Sequence, residues 1–328
     1  YIPLNPMNQL ALIPSDTRTT ALPVHPSRQE LYDLYIKARS CMWTPDEIDM
    51  STDLAVYTRL PKNIQHMINI VLSFFASFDE LVNCNLLDHV IDKVPIMEAK
   101  YFYHFQLMME DIHAIVYSSL IDTMIISGED REYYLNSVEN FDIIRRMAAF
   151  LNSTDTSSLG EILVRQGIAE GIFFQSMFFL IYWIRATCNV PGLTQSNELI
   201  ARDESLHAQF ATVLYARYLK PEHKLNEAQF NALICEGVAL SIELSQVILD
   251  DSLTGINRKL MADYVQQIAD VLCVQFGYTE LYRVRANAPF MERLGRTSKD
   301  QFFEKRVTNY ALGEDSVHTK NIELLDDF

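Results

Sequence analysis

Two short stretches, Glu110-Asp111-Ile112-His113 and Glu204-Ser205-Leu206-His207, share the pattern Glu-x-x-His. Residues i and i+3 lie on one face of a helix, so each pair can aim a carboxylate oxygen and an imidazole nitrogen at a common point. Two further acids sit in apolar runs. Asp79 closes Phe74-Phe75-Ala76-Ser77-Phe78-Asp79, and Glu170 lies within Gly167-Ile168-Ala169-Glu170-Gly171-Ile172-Phe173-Phe174. A carboxylate in such surroundings needs a partner, because burying an unpaired charge is costly. In chain order, Asp79, Glu110, His113, Glu170, Glu204 and His207 form a set of four carboxylates and two imidazoles on four helices, suited to holding two metal ions. Oxygen and imidazole donors without thiolate favour iron or manganese over zinc. A single Glu-x-x-His would carry little weight, since both residue types are common on helix surfaces. The repetition, together with the two acids in apolar helices, carries the metal reading.

Tyr117 follows His113 by four residues and Glu110 by seven, on the same helix face. Taken alone it would be a core tyrosine with a hydrogen-bonded hydroxyl. Beside an oxygen-activating metal pair it can instead lose an electron and a proton, and the resulting radical survives only where water and reductants are kept away. Phe174, four residues after Glu170, and Ile200, four before Glu204, are placed to wall it in, with Phe178 as a further candidate.

These groups demand long helices, and the chain supplies them. Its 328 residues include only 10 glycines, and no proline falls between Pro95 and Pro191. The sequence predicts an all-α bundle with helical segments at about 61–90, 95–127, 133–151, 157–188, 192–219, 225–250 and 256–285. Thr44-Pro45-Asp46-Glu47 combines a Thr cap, Pro at the first helical position and Glu three residues after the cap, and predicts a short helix there. Residues 1–25 are expected to form a proline-rich extended arm, 26–288 a single helical domain and 289–328 a C-terminal segment.

The balance of 27 basic against 43 acidic residues gives a net charge of −16, which argues against nucleic-acid binding, since a phosphate-neutralising surface needs clustered cations. No P-loop or Gly-x-Gly-x-x-Gly fingerprint points to a nucleotide site. The most apolar stretch, Ile172 to Ile184, falls short of the ~20 residues of a membrane span and is expected to be a buried helix. The five cysteines form no Cys-x-x-Cys pair and fit a reducing cytoplasm. No basic-then-apolar leader pattern opens the sequence, and its start at Tyr1 leaves room for a segment upstream.

Several motifs in order now carry a resemblance. They are Cys41-Met42-Trp43-Thr44-Pro45-Asp46-Glu47-Ile48-Asp49, the run ending at Asp79, Met109-Glu110-Asp111-Ile112-His113 with Tyr117, and Glu170-Gly171-Ile172-Phe173-Phe174. Asn197-Glu198-Leu199-Ile200-Ala201-Arg202-Asp203-Glu204-Ser205-Leu206-His207 and Phe302-Phe303-Glu304-Lys305-Arg306-Val307-Thr308-Asn309-Tyr310 complete them. Over about residues 26–328 the sequence resembles the small, radical-generating subunit of class I ribonucleotide reductase, in the wording of its eukaryotic and viral branch.

The resemblance implies a ferritin-like helical bundle with two iron ions, oxo-bridged, or manganese in their place. Asp79, Glu110 and His113 would ligate one metal and Glu170, Glu204 and His207 the other, with bridging carboxylates. It further implies that dioxygen is used to generate and store a radical on Tyr117, caged by Phe174, Phe178 and Ile200. Trp43 and Asp203, with His113, would lead from the metal towards the surface, and Tyr310, assisted by Glu304, would relay the radical to a large catalytic subunit that reduces ribonucleotides. The terminus from Asn321 to Phe328 alternates acids with Ile322, Leu324, Leu325 and Phe328 and resembles a tail that docks on that subunit. A homodimer in the cytoplasm is expected.

Three other readings compete. A related two-electron oxidase would carry Glu in place of Asp79 and needs no docking tail. A ferritin-like iron store would require neither a caged Tyr117 nor a terminal anchor. A purely structural bundle would leave four buried acids repelling one another.

Overall fold

The computed structural model describes residues 22–153 and 158–291. Most of the N-terminal arm therefore lies outside the described residues, as do Glu304, Tyr310 and the terminal Ile322, Leu324, Leu325 and Phe328.

Among the described residues the architecture is all-α. The principal helices are α1 (Gln29–Ser40), α2 (Lys62–Asn85), α3 (Met97–Met124), α4 (Asp142–Asn152), α5 (Leu159–Ile168), α6 (Gln175–Thr187), α7 (Pro191–Val213), α8 (Glu227–Ile248) and α9 (Arg258–Phe276). A π-helical stretch, Ala169–Phe174, joins α5 and α6 without a break. Similar stretches extend α2 over Leu86–Val90 and α7 over Leu214–Tyr218.

The pattern of side chains explains the packing. Along α2, Met67, Ile68, Val71, Leu72, Phe75, Phe78 and Val82 are buried, while His66, Glu80 and Cys84 are exposed. An apolar face of this kind stabilises only against other helices, at roughly 1.5–3 kcal/mol for each large side chain fully withdrawn from water. The α5–α6 helix is apolar on all sides and almost wholly buried. By length and composition Lys62–Lys93, Leu159–Thr187 and Glu227–Ile248 could each cross a membrane. This corrects the expectation drawn from Ile172 to Ile184 alone, which missed how far the helix runs. All three helices pack into the bundle, so their apolar surface is spent, in large part, on the core.

The sequence-based segments need four further adjustments. Helix α1 lies in a stretch to which no helix was assigned. The start at Thr44 is a single 3-10 turn, Pro45–Glu47, whose Glu47 Oε1 accepts from Thr44 N at 2.8 Å. The segment 133–151 is divided into Gly128–Leu135, Ser137–Asn140 and α4, because Asn136 and Phe141 leave helical geometry. The segment 256–285 ends at Phe276, where Gly277 takes φ +90°, a left-handed conformation that glycine adopts without a Cβ clash. Beyond it, the buried Asp270 carboxylate accepts from Leu281 N, Tyr282 N and Arg283 N at 2.8, 2.7 and 2.6 Å, holding an irregular return against α9.

Candidate metal centre

Four helices close around the acids and histidines: α2 packs on α3, α3 on α7, α7 on α5 and the π-helical stretch, and α6 back on α2. Asp79 comes from α2, Glu110, His113 and Tyr117 from α3, Glu170 from the π-helical stretch, and Asp203, Glu204 and His207 from α7. The N-terminus of α7 is held by a carboxylate from elsewhere in the chain. Asp53, fully buried, accepts from Gly192 N and Leu193 N, both at 2.9 Å. The approach is so close that a Cβ on Gly192 would sit 2.7 Å from Asp53 Oδ2.

All six sequence-predicted ligands are buried, none more than 3% exposed, so the centre is shielded from bulk water. Their donor atoms form two groups, Asp79–Glu110–His113 and Glu110–Glu170–Glu204–His207, each with its members within 4.8 Å of one another. Glu110 belongs to both. The sequence had placed it with Asp79 and His113 and left the bridging carboxylates unnamed.

Both imidazoles turn Nδ1 inward. His113 Nδ1 lies 3.2 Å from Glu110 Oε2 and 2.9 Å from Glu204 Oε1. His207 Nδ1 lies 3.0 Å from Glu110 Oε1 and 2.9 Å from Glu204 Oε2. On its outer side His113 Nε2 meets Asp203 Oδ2 at 3.3 Å, and Trp43 Nε1 donates to that same oxygen at 2.7 Å. The Trp43 and His113 rings are stacked with centroids 6.0 Å apart. Three residues distant in sequence thus form one outward chain.

The charges are strongly interdependent. Burial, followed by the Glu110 carboxylate, pushes the Asp79 carboxyl well above its ordinary range. Burial, followed by Glu204 and Glu110, does the same to Glu170. Burial also opposes ionisation of Glu204, but His207 and His113 outweigh it and hold that carboxyl below the usual range. For His207 burial is outweighed by Glu110 and Glu204, which carry its imidazole up to about 9. His113 rises for the same reason, through hydrogen bonds with Asp203, Glu110 and Glu204 that exceed the cost of burial.

These residues fit a cation pair. Both carboxylate oxygens of Asp79 and the Oε2 of Glu170 are buried without a hydrogen-bond partner, a costly state for a polar atom unless something else satisfies it. The same atoms belong to residues whose donor sets converge, and the donors are oxygen and imidazole nitrogen, which suit iron and manganese alike.

Tyr117 is fully buried with its hydroxyl unpartnered, and burial together with Asp79, Glu204 and Glu110 drives its phenol well above the usual value. The ring stacked on it is Phe75, centroids 4.5 Å apart and 5° from parallel. Phe174 and Phe178 meet Phe75 at 5.8 and 4.9 Å and so build the wall through it, while Ile200 is fully buried on α7 one turn before Glu204. Phe75 was legible only as part of an apolar run; its spacing, four residues before Asp79, is the signal that would have placed it.

Sequence reasoning also missed three amides. Gln106 Nε2 donates to Glu110 Oε1 at 3.1 Å and to Glu170 Oε1 at 2.9 Å. Gln166 Nε2 donates to Glu170 Oε1 at 2.6 Å, and Gln166 Oε1 accepts from Asn85 Nδ2 at 2.8 Å. Each glutamine precedes its glutamate by four residues, the spacing that stacks side chains on one helix face.

The family described as ribonucleotide reductase, small chain, matches residues 24–289. The chain is similar to ribonucleoside-diphosphate reductase subunit M2 of Rattus norvegicus, 36% identical over 301 residues, covering 90% of this chain and 76% of that protein. It is similar to the ribonucleoside-diphosphate reductase small chain of Vaccinia virus (strain Ankara), 34% identical over 301 residues, with 91% and 93% covered. Among solved structures, the ribonucleotide reductase Rnr4 homodimer from Saccharomyces cerevisiae superposes with a TM-score of 0.76 at 28% identity, covering 90% of this chain and 91% of that one. The ribonucleotide reductase R2 subunit from Clostridium botulinum shares the fold, with a TM-score of 0.73 at 21% identity and 82% and 87% covered.

Proposed function

The chain belongs to the ribonucleotide reductase small-chain family and is a small subunit of that oxidoreductase, and from that premise we propose that its buried cluster holds a pair of iron ions serving a radical on Tyr117. The observation that carries this reading is the meeting of two donor groups through Glu110, beside a tyrosine whose hydroxyl is buried and unpartnered. Asp79, Glu110 and His113 would hold one ion and Glu170, Glu204 and His207 the other, with Glu110 as a bridge. Manganese is the alternative occupant, since it accepts the same donors. When bound, such a pair would supply the reduction of dioxygen and the oxidising equivalent that removes an electron from Tyr117.

The protein's own residues define the remaining steps. With a metal bound, the Nε2–H of His113 would donate to Asp203 Oδ2, leaving the Nδ1 lone pair for the metal and fixing the ring. The Oδ2 of Asp203 accepts in turn from the Trp43 indole, giving a continuous route from the centre to a buried tryptophan whose neighbour, Met42, is exposed. We assign to this route the entry of an electron and the later exit of the radical towards Tyr310, with Glu304 assisting. Tyr117 retains its proton at neutral pH, so its oxidation must release a proton together with the electron. Phe75, Phe174, Phe178 and Ile200 exclude the water that would quench the product.

Ile322, Leu324, Leu325 and Phe328 are proposed to anchor the chain on the large subunit. Pairing with a second copy is proposed from the similar yeast homodimer.

Electron paramagnetic resonance after anaerobic loading with ferrous iron and exposure to oxygen tests the reading. The native protein should give a tyrosyl signal, and Tyr117→Phe should lose it while taking up the same amount of iron. A signal that persists in Tyr117→Phe would move the radical elsewhere, and a protein that takes up no metal would remove the central claim.

A further inference from the structure

Glu170 Oε1 receives two amide protons, from Gln166 Nε2 at 2.6 Å and from Gln106 Nε2 at 2.9 Å. A carboxylate oxygen has about two lone pairs directed at donors, so this atom is fully used. The other oxygen, Oε2, is buried with no hydrogen-bond partner. The two ends of one carboxyl group are therefore sharply different, and the difference is imposed from outside by three helices.

The amide orientation is itself constrained. Once Glu170 is ionised, as a metal ligand must be, its Oε1 can only accept, so Gln166 must turn its nitrogen to it, and the Gln166 carbonyl then accepts from Asn85 Nδ2 at 2.8 Å. Reversing Gln166 would set its oxygen against a carboxylate and its nitrogen against the Asn85 amide nitrogen. Gln106 is anchored likewise, because its nitrogen also reaches Glu110 Oε1 at 3.1 Å. Asn85, Gln106 and Gln166 are each 1% exposed, so water does not compete for these bonds.

We propose that Gln166 and Gln106 are positioning residues that restrict Glu170 to binding metal through Oε2 alone, preventing it from chelating or bridging through Oε1. The inference rests on the metal centre proposed above and goes beyond it by naming what sets the coordination mode of one ligand. Glu110 is free to span both donor groups; Glu170 is held as a terminal ligand. Breaking the Gln166 bond, the shorter of the two, would leave Oε1 on the Gln106 amide alone, a weaker hold against the pull of the ion.

Manganese(II)-loaded protein tests this without recourse to activity. In a crystal structure of the native protein, Glu170 should ligate through Oε2 only, with Oε1 still on both amides. In Gln166→Met, which keeps side-chain length and removes the donor, Oε1 should turn to the metal. Infrared difference spectra of protein carrying 13C-carboxyl glutamate should show a narrower separation between the asymmetric and symmetric carboxylate stretches in the variant, as chelation requires. A native Glu170 that binds through both oxygens overturns the inference and leaves the metal centre standing. So does a Gln166→Met protein with unchanged Glu170 geometry and spectrum. If manganese(II) does not bind at all, the metal centre and this inference fall together. Should Gln166→Met not fold, the mode of Glu170 in the loaded native protein decides the matter alone.

Discussion

Asp79 and Glu170 keep their protons in the metal-free protein at pH values where exposed carboxylates have lost them, because burial and neighbouring carboxylates disfavour the charge. The stability they contribute is present below the ordinary carboxyl range and is lost as pH rises through their elevated folded values. His207, raised to about 9, acts in the same direction, its contribution fading as pH passes that value. Metal ions take the deprotonated ligands, so binding must expel these protons. Titrating chelator-treated protein with manganese(II) in weakly buffered solution should release protons to an indicator dye, and apparent affinity should increase with pH. Metal uptake with no proton release would show that the ligands are already ionised.

At the scale of the element, α7 carries three of the proposed functional residues, Asp203, Glu204 and His207. Its first turn depends on a buried carboxylate contributed from residue 53, not on a local cap. Asp53→Ala should leave two buried N–H groups unsatisfied and cost about 1–3 kcal/mol of stability, read from denaturant unfolding of the metal-free protein. Asp53→Asn, which can restore only part of the bonding, should fall between. The end of α9 makes a different demand. Nothing lies within 4 Å of a Cβ built on Gly277, so Gly277→Ala is penalised by φ +90° alone. We expect a loss of about 1–2 kcal/mol, reduced in Gly277→Asn, from the same unfolding measurement. Metal stoichiometry in the Gly277 variants should be unchanged.

At the scale of the whole molecule, the metal centre and the proposed docking tail are separable. The centre is enclosed by helices that end at Phe276. A chain lacking residues 321–328 should take up metal and form the Tyr117 signal normally, yet lose most of its affinity for the large subunit in a binding titration. Retained affinity would place the contact elsewhere. The six proposed ligands and Tyr117 could be singled out in the sequence because residues spaced three and four apart share a helix face, and acids stand out in apolar runs; the structure brings the six together in two groups that share Glu110. The same local rules predicted long helices. They could not show that Glu110 joins both donor groups, that Phe75 stacks on Tyr117, or that Trp43 and Asp203 meet across 160 residues. Nor could they show two amides from different helices meeting on one oxygen of Glu170. Periodicity determines which face of a helix a residue occupies, whereas the partner it meets there depends on how helices distant in sequence are packed, and only the tertiary structure decides that.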